Sequence, residues 1–230
     1  RQYNRDIQLQ NKQLEEYAHI ASHDLQEPLR KIQIFASLLE KNIDDKAEVK
    51  KNIIKINSSA KRMTNLIKDV LNYSRLILTE EHFEATNLTT VLDNIMEDFE
   101  LLISEKEVVI NYHDLPVVMG IPIQLNQLFS NLVSNAIKFA GGKPVIDITS
   151  EKLTEATFKK YPQLTAERSY TLITFRDQGI GFDPQYNDQV FKLFQRLDSS
   201  TYGNGIGLAL CKRIVENHHG IISVSSEVNK

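Results

Sequence analysis

The chain has 230 residues, of which 41% are hydrophobic and 25% charged, and its formal net charge at pH 7 is −3. This length and composition are sufficient for one or two packed domains and exclude a disordered chain. The near balance of 27 basic and 30 acidic residues excludes the charge pattern of a protein that binds nucleic acid or anionic membranes.

The one cysteine, Cys211, excludes an internal disulfide framework. No run approaches the ~18 apolar residues that a membrane span requires. We therefore expect a reducing, cytoplasmic location for this soluble chain or portion of a larger protein. The first residues, RQYNRDIQLQNKQ, are too polar for a secretory signal and are typical of a helix interior, so further sequence is expected upstream.

Two long amphipathic helices are predicted in the first third of the chain. Apolar residues spaced alternately by four and three run from Leu14 to Leu39, and the pattern resumes from Val49 to Val70 after the polar break KNIDDK. The two segments predict an antiparallel helical hairpin. Because a lone pair of helices leaves its apolar stripes in water, we expect a homodimeric four-helix bundle formed through residues 1–80.

The heptad spacing places His23 at a solvent-facing position, next to Asp24 in the segment SHDLQEPLRKI. Pro28 removes the backbone hydrogen bond to the Asp24 carbonyl and should loosen the helix there. A neutral imidazole is a nucleophile near pH 7, and Asp24 would orient it by holding one ring proton. Two alternatives remain: a solvated helix histidine, and a metal pair with His19, for which no third ligand is evident.

From about Glu80 the heptads stop, and a second domain is predicted over residues 86–230 after a polar hinge between Thr79 and Thr86. Helices are predicted at LTTVLDNIMEDFELLI, IQLNQLFSNLVSNAIKFA and GLALCKRIVENHHG. Strands are predicted at VVINYH, KPVIDITS, SYTLITFRD and IISVSS. The fold class is therefore α+β, with the helical hairpin followed by an α/β sandwich.

The segment NLVSNAIKF places Asn131, Asn135 and Lys138 on one face of a helix. Amide oxygens suit Mg²⁺ and a lysine suits phosphate. The alternative is a surface helix whose asparagines bind nothing. The opposite face is apolar and can pack on a sheet, with Leu125, Leu128, Leu132 and Ala136.

The segment FRDQGIGFD ends a predicted strand at Asp177 and continues into Gly179 and Gly181. Glycines let the backbone approach a ligand closely. We expect Asp177 to be a buried carboxylate that accepts the amine of adenine. Ordinary glycine turns are the alternative here and in the next loop.

The segment GNGIGLAL places Gly203, Gly205 and Gly207 ahead of a helix, whose free N–H groups and dipole can receive phosphates. A P-loop is excluded because no Gly-Lys-Ser/Thr follows the glycines, and a dinucleotide fingerprint because no apolar strand precedes them. The HRD and DFG triplets of protein kinases do not occur.

In their order, five segments resemble the sequence boxes of the two-component sensor histidine kinases. SHDLQEPL resembles the H box, NLVSNAIKF the N box, DQGIGFD the first glycine box, VFKLFQRL the F box and GNGIGLAL the second glycine box. The resemblance runs from about Leu14 to Ser226. It implies a dimerisation and phosphotransfer domain followed by a Bergerat-type ATP-binding domain, with ATP covered by a lid at DSSTYGN.

The resemblance also implies a role for each matching residue. His23 is the phosphoacceptor, assisted by Asp24, and a response regulator aspartate receives the phosphoryl group. ATP and Mg²⁺ are the cofactors, with Asn135 as the Mg²⁺ ligand. The implied ATP contacts are Asn131 and Lys138 on the phosphates, Asp177 on adenine, Phe191 and Phe194 beneath the lid, and Gly179, Gly181, Gly203, Gly205, Gly207 and Leu208.

The H box departs from the commonest pattern at Asp24 and Glu27, where many members have Glu and Thr or Asn. The position of Glu27 helps to orient water for phosphatase activity in the family, and a carboxylate there is expected to repel the phosphoryl group. This variant resembles kinases with PAS or phytochrome-like sensors upstream. The chain stops at VSSEVNK, before the glycine-containing turn and final strand usual in the family.

Two other classes of protein remain as alternatives. An ATP-driven clamp of the same fold, of the chaperone or mismatch-repair type, would carry a water-activating glutamate where this chain has Asn131. A catalytically silent dimeric scaffold would follow if the short lid or the missing final strand abolished ATP binding. Whether the phosphoryl group is transferred within a protomer or between two depends on the handedness of the hairpin, which KNIDDKA does not specify.

Overall fold

The computed structural model describes residues 25–78, 82–154, 158, 161–165, 167–197 and 205–228. These residues divide into two compact units. The first unit contains the described residues up to 77 together with 205–206, and the second contains the remainder.

The first unit is a pair of helices joined by a short polar turn. Helix α1 is described from residue 25 to residue 41, and helix α2 spans Lys46–Leu78. Asn42 ends α1 by donating from its side chain to the carbonyl of Leu38 at 3.0 Å. Asp45 begins α2, because its carboxylate accepts from the backbone N–H groups two and three residues later, at 2.9 and 3.2 Å. The polar break in the heptad pattern is therefore the turn, as predicted.

The buried face of α2 differs from the predicted heptad seam. Asn52, Ser59 and Leu66, seven residues apart, are buried within the unit. Ile53 and Ile67, which belong to the predicted seam, remain 44% and 43% exposed. A single hairpin therefore leaves a large part of its apolar surface in contact with water.

The second unit contains two β-sheets. Strand β1 (Glu84–Asn87) pairs antiparallel with β3 (Val117–Gly120). Strand β2 (Val109–Tyr112) pairs parallel with β4 (Val145–Lys152), and β4 pairs antiparallel with β5 (Thr171–Asp177). The larger sheet has the order β2-β4-β5, so β4 is its central strand.

Within the described ranges, four helices with assigned bounds and a short 3₁₀ turn accompany these sheets. Helices α3 and α4 span Leu88–Asp98 and Glu100–Lys106, and α5 spans Pro122–Lys138. The 3₁₀ turn is Pro184–Tyr186, and α6 spans Gly207–Asn217. The predicted fold class, a helical N-terminal region followed by an α/β sandwich, is confirmed.

Helix α5 is central to the second unit, since it packs against α3, α6 and β4. Apolar side chains from these four elements form one core. Its most deeply buried members are Leu88, Leu92 and Ile95 of α3, Val133 and Ile137 of α5, Ile146 and Ile148 of β4, and Cys211 and Ile214 of α6.

Two predicted elements are wrong in detail. The helix predicted over LTTVLDNIMEDFELLI is divided at Phe99, whose φ of −100° and ψ of 6° interrupt the helical geometry between α3 and α4. Residues 221–226, predicted as a strand, form none. A strand requires a ladder of backbone hydrogen bonds, and within the part of the chain that the structure describes, none joins this segment to a neighbour.

Candidate functional site

Helix α5 presents a row of three side-chain amides, Gln127, Asn131 and Asn135, at successive turns of one face. The Gln127 Nε2 donates to Asn131 Oδ1 at 3.1 Å, which orients the Asn131 amide. The Asn131 Nδ2 is buried and has no hydrogen-bond partner among the described atoms. Gln127 was not singled out from the sequence, although its i, i+4 spacing from Asn131 was a usable signal.

Helix α6 lies antiparallel to α5 and faces these amides. A methyl group placed on Gly207, the first residue of α6, would lie 3.8 Å from Asn135 Nδ2. One turn further along α6, the Cys211 thiol donates to the carbonyl of Leu128 at 3.8 Å and lies close to Asn131. Asn135 is therefore beside the N-terminus of α6, where unpaired N–H groups and the helix dipole attract anions.

Burial explains the chemical state of Cys211. Its side chain is fully buried, and this burial raises the pKa of the thiol to about 12, with the Asn131 side chain opposing the shift. A thiol with such a pKa is protonated at neutral pH and is a poor nucleophile. Cys211 therefore contributes packing between α5 and α6, and not reactivity.

The C-terminal end of α5 carries Lys138, whose charge is influenced by a second cation, Arg196. The Lys138 Nζ lies 4.3 Å from the centroid of the Phe139 ring. Burial lowers the pKa of Lys138, and the positive charge of Arg196 lowers it further. Like charges repel, so an anion bound between them would stabilise both. Arg196 was not singled out from the sequence, because only the fold brings it near Lys138.

The first glycine loop is attached to the same end of α5. The Ile180 N–H donates to the carbonyl of Phe139 at 2.9 Å, and Gly179 forms a β-bridge with Ala140. A methyl group on Gly179 would lie 2.7 Å from Asp177 Oδ1 and 3.0 Å from the Phe139 carbonyl, so the close approach requires glycine. The structure therefore brings this loop to the N-box helix.

The expectation that Asp177 is buried is wrong. Asp177 is exposed, because it is the last residue of β5, which is an edge strand of the described sheet. Its Oδ1 accepts from the Gly179 N–H at 2.8 Å, so the carboxylate is held within its own loop. One carboxylate oxygen thus fixes the loop, and the residue stays accessible to a ligand.

Gly181 and Gly205 both have backbone conformations that favour glycine, with φ values of 61° and 68°. At Gly181 an added methyl group would lie 2.0 Å from the backbone carbonyl of Glu227. The role of Gly181 is therefore to allow the C-terminal segment to pass close to the loop. Ser226 adds to this contact by accepting from the Phe182 N–H at 2.9 Å.

The remaining predicted residues are placed less tightly or lie elsewhere. Phe191, Phe194 and Leu208 are half-buried, and Phe194 has an uncommon left-handed φ of 61°. His23, Asp24 and Gly203 lie outside the described residues, as does the predicted lid at 198–204. The residues gathered around the C-terminal half of α5 are Asn131, Asn135, Lys138, Asp177, Gly179, Arg196 and Gly207.

Comparison with protein families assigns both units. Residues 13–78 match the His Kinase A (phospho-acceptor) domain. Residues 120–230 match the histidine kinase-, DNA gyrase B- and HSP90-like ATPase. The chain therefore belongs to the histidine kinase family and carries both its phosphoacceptor domain and its ATP-binding domain.

Within that family the chain is similar to phytochrome-linked kinases, as the H box predicted. It is 36% identical to cyanobacterial phytochrome A of a Nostoc species, with 98% of this chain and 28% of that protein covered. It is 34% identical to the phytochrome-like protein Cph1 of a Synechocystis species, with 96% of this chain and 28% of that protein covered. The chain thus spans less than a third of the length of these curated relatives.

Solved structures of histidine kinases have the same fold. The ThkA kinase, in a complex with the response regulator protein TrrA, gives a TM-score of 0.68 at 23% identity, covering 96% of this chain and 60% of that one. The Acinetobacter baumannii histidine kinase AdeS gives a TM-score of 0.63 at 18% identity, covering 90% and 92%. At these identities the likeness concerns the fold alone.

Two features are absent from the described residues. No helix there is both long and apolar enough to cross a membrane. No group of three or more His, Cys, Asp or Glu side chains is arranged to hold a metal ion in the same residues. A Mg²⁺ site built on the Asn135 amide and nucleotide phosphates is of a different kind, since it needs few protein ligands.

Proposed function

We propose that the chain binds Mg·ATP around the C-terminal half of α5, transfers the γ-phosphoryl group to His23, and passes it to an aspartate of a response regulator. The observation that carries this proposal is the contact of Asn135 with the N-terminus of α6, one turn before Lys138, whose pKa the charge of Arg196 lowers. These groups supply an amide oxygen, free backbone N–H donors and two positive charges, which is the chemistry that a metal-bound triphosphate requires.

Each residue has a distinct role in this proposal. Lys138 and Arg196 neutralise phosphate charge, and their mutual repulsion disfavours the empty site. The first turn of α6, with Gly207 and Leu208, donates backbone N–H groups to the phosphates. Asn135 would hold Mg²⁺ through its amide oxygen, and Asn131, fixed by Gln127, would stabilise it from the adjacent turn.

The other ATP contacts follow the family resemblance. Asp177 anchors the adenine amine through the carboxylate oxygen that does not bind Gly179. Phe191 and Phe194 support the lid, and Gly203 and Gly205 allow it to close over the nucleotide. The exposed position of Asp177 suits a ligand that enters from solvent.

The proposed chemical step is an in-line displacement. A neutral ring nitrogen of His23 attacks the γ-phosphorus, a P–N bond forms, and the bond from that phosphorus to the β,γ-bridging oxygen breaks to release ADP. Asp24 accepts the ring proton that the attack makes acidic. Mg²⁺ bound to the phosphates would neutralise the charge that develops on the leaving group. Positioning supplies most of the catalysis, so activity should require motion between domains 1–80 and 86–230 about the hinge near residues 79–86.

Homodimerisation through residues 1–80 is part of the proposal. The exposed apolar side chains of α1 and α2 support it, because a second hairpin would remove them from water and complete a four-helix bundle. Those at least 39% exposed in the two helices are Leu29, Ile34, Leu38, Ile53, Ile54, Ile67 and Leu71, and Ile43 in the turn between them is exposed as well.

The partners proposed on either side of the reaction are an upstream sensor and a response regulator. The phytochrome-related names and greater length of the two curated relatives support a PAS or phytochrome-like sensor preceding this chain. The solved complex of ThkA with TrrA supports a response regulator as the receiver of the phosphoryl group.

The test is incubation with Mg²⁺ and γ-labelled ATP. The wild type should acquire acid-labile, alkali-stable label, and His23→Gln should acquire none. Asn135→Ala should also lose labelling, whereas Ser134→Ala, its exposed neighbour on α5, should label normally. Steady ATP hydrolysis without phosphoprotein would indicate the ATP-driven clamp, and absence of ATP binding would indicate the silent scaffold.

A further inference from the structure

Helices α5 and α6 contact each other at both ends. The proposed nucleotide site lies at one of these ends. Asn135 meets Gly207 at the site end, and Asn131 lies near Cys211 one turn away. At the opposite end a single imidazole, His218, connects the beginning of α5 to the end of α6. This histidine belongs to none of the sequence boxes.

Two hydrogen bonds hold the His218 ring. The Ile121 N–H, at the N-terminus of α5, donates to His218 Nε2 at 3.0 Å. The His218 Nδ1 lies 2.7 Å from the carbonyl of Ile214, which can only accept. The first bond requires Nε2 without a proton and the second requires Nδ1 with one, so the ring is neutral and its tautomer is fixed.

The surroundings of His218 favour this neutral form. Phe83 packs on the ring with the centroids 5.1 Å apart, and also stacks on His219 at 6.2 Å. A methyl group on Gly120 would lie 3.1 Å from two atoms of the ring and 2.6 Å from Leu125, so glycine makes the space for the imidazole.

Burial lowers the pKa of His218, and the nearby charge of His219 lowers it further, against the effect of the Ile214 carbonyl. The other elements around the ring contribute only uncharged neighbours among the described residues, namely Phe83, Gly120, Ile121 and Leu125.

We propose that His218 is a positioning residue for ATP binding: its neutral ring fixes the register of α6 against α5, and thereby the place of the α6 N-terminus beside Asn135. The inference rests on the proposed function. Apolar contacts between two helices are non-directional, whereas the two hydrogen bonds of the ring depend on its distance from, and angle to, both helices. A slip by one residue would move Gly207 by about 1.5 Å relative to Asn135.

Protonation of His218 releases this register. The charged ring carries a proton on Nε2, which then faces the Ile121 N–H, so two donors meet where one bond existed. The fixed register is therefore present above the unperturbed histidine pKa of about 6.5 and is lost as the pH falls through the lowered pKa of the folded state.

The experiment measures the dissociation constant of a non-hydrolysable ATP analogue with Mg²⁺ from about pH 8 to about pH 4.5, a range that extends well below the unperturbed histidine pKa of about 6.5. The wild type should bind about tenfold more weakly at the acid end, a loss of about 1.4 kcal/mol in binding free energy. His218→Gln should bind more weakly than wild type at neutral pH and show a flatter profile. The comparison of profiles removes the contribution of the nucleotide's own titration.

The matched control is His219→Asn, which removes the neighbouring imidazole and suits the left-handed φ of 58° at that position. It should retain the wild-type affinity at neutral pH, and its acid loss should persist but begin at a slightly higher pH, because the charge of His219 no longer lowers the pKa of His218. His218→Phe keeps a ring against Phe83 but removes both hydrogen bonds, and should behave as His218→Gln does. Far-UV circular dichroism of each variant identifies any that fails to fold.

A direct readout does not depend on nucleotide. The ring nitrogen chemical shifts of His218 in the wild type should report a neutral ring protonated on Nδ1. The opposite tautomer, or nucleotide binding equal in wild type and His218→Gln across the pH range, would overturn the inference alone. Absence of nucleotide binding by the wild type at every pH would instead overturn the proposed function, and this role of His218 with it.

Discussion

The substitution Gly207→Ala should show whether this position requires glycine for its backbone conformation or for the space that a bound ligand occupies. The added methyl group would meet nothing nearer than Asn135 Nδ2 at 3.8 Å, which is an ordinary contact, and the φ of Gly207 is not left-handed. Replacing glycine by alanine at such a position stabilises a protein by about 0.4–1 kcal/mol. The free energy of unfolding without nucleotide should therefore stay the same or rise slightly.

Nucleotide binding should change in the opposite direction. The methyl group of Gly207→Ala occupies the space between Asn135 and the first turn of α6, where the phosphates and Mg²⁺ are proposed to lie. A tenfold loss of ATP affinity corresponds to about 1.4 kcal/mol. The variant should therefore lose about that much of the stabilisation that excess nucleotide gives the wild type.

Calorimetric melting with and without Mg·ATP checks both statements on one sample. Gly142→Ala is the matched control, since a methyl group there meets nothing within 4 Å and lies away from α6. A Gly207→Ala protein that melts well below wild type without nucleotide would mean that Gly207 has a structural role. Equal stabilisation of both proteins by nucleotide would mean that the phosphates do not approach the first turn of α6.

Three further substitutions test other parts of the second unit. Gly181→Ala should lower the free energy of unfolding by about 2–5 kcal/mol, because alanine is strained at a left-handed φ and its methyl group would overlap the backbone at Glu227. A loss under about 1 kcal/mol in urea denaturation would contradict the close passage of the C-terminal segment. The Tyr112 hydroxyl donates to Asp93 at 2.6 Å, and this hydrogen bond raises the pKa of Tyr112 to about 12. The bond therefore stabilises the fold fully below about pH 10, and its contribution is lost as the pH rises through about 12. Tyr112→Phe should lack this alkaline loss of stability in denaturation curves. Lys138→Gln removes the repulsion with Arg196 and should not lower the melting temperature, but should weaken ATP binding about tenfold in a titration; unchanged affinity would place the phosphates elsewhere.

Long elements with a strong pattern were predictable from the sequence. Helix α5 has regular apolar spacing and ends where its pattern ends, and β4 and β5 are rich in β-branched residues. Strands β1 and β3 were not predicted, because EATN has a single hydrophobic residue and VVMG has no polar residue, so neither sequence alternates. The segment IISVSS has a strand-like composition, but strand formation also requires a partner, which composition does not reveal.

The candidate site was predictable where one element carries the chemistry. Asn131, Asn135 and Lys138 share a face of α5 because of their spacing, and helical geometry is enough to place them together. The exposure of Asp177 depends on which strand ends the sheet, and the meeting of Lys138 with Arg196 depends on the fold. Helical spacing gives no information about either. The roles of His23, Asp24 and Gly203 remain predictions from the resemblance.

The antiparallel contact between α5 and α6 also has a consequence for how the protein is made. Asn135 leaves the ribosome well before Gly207, and β4, β5 and both glycine loops are synthesised in the interval. Because the proposed phosphate site consists of groups from both helices, a nascent chain that exposes α5 alone can neither bind nucleotide nor be stabilised by it. The proposed phosphate site is therefore complete only after α6 has been synthesised, although the amide face of α5 is made earlier.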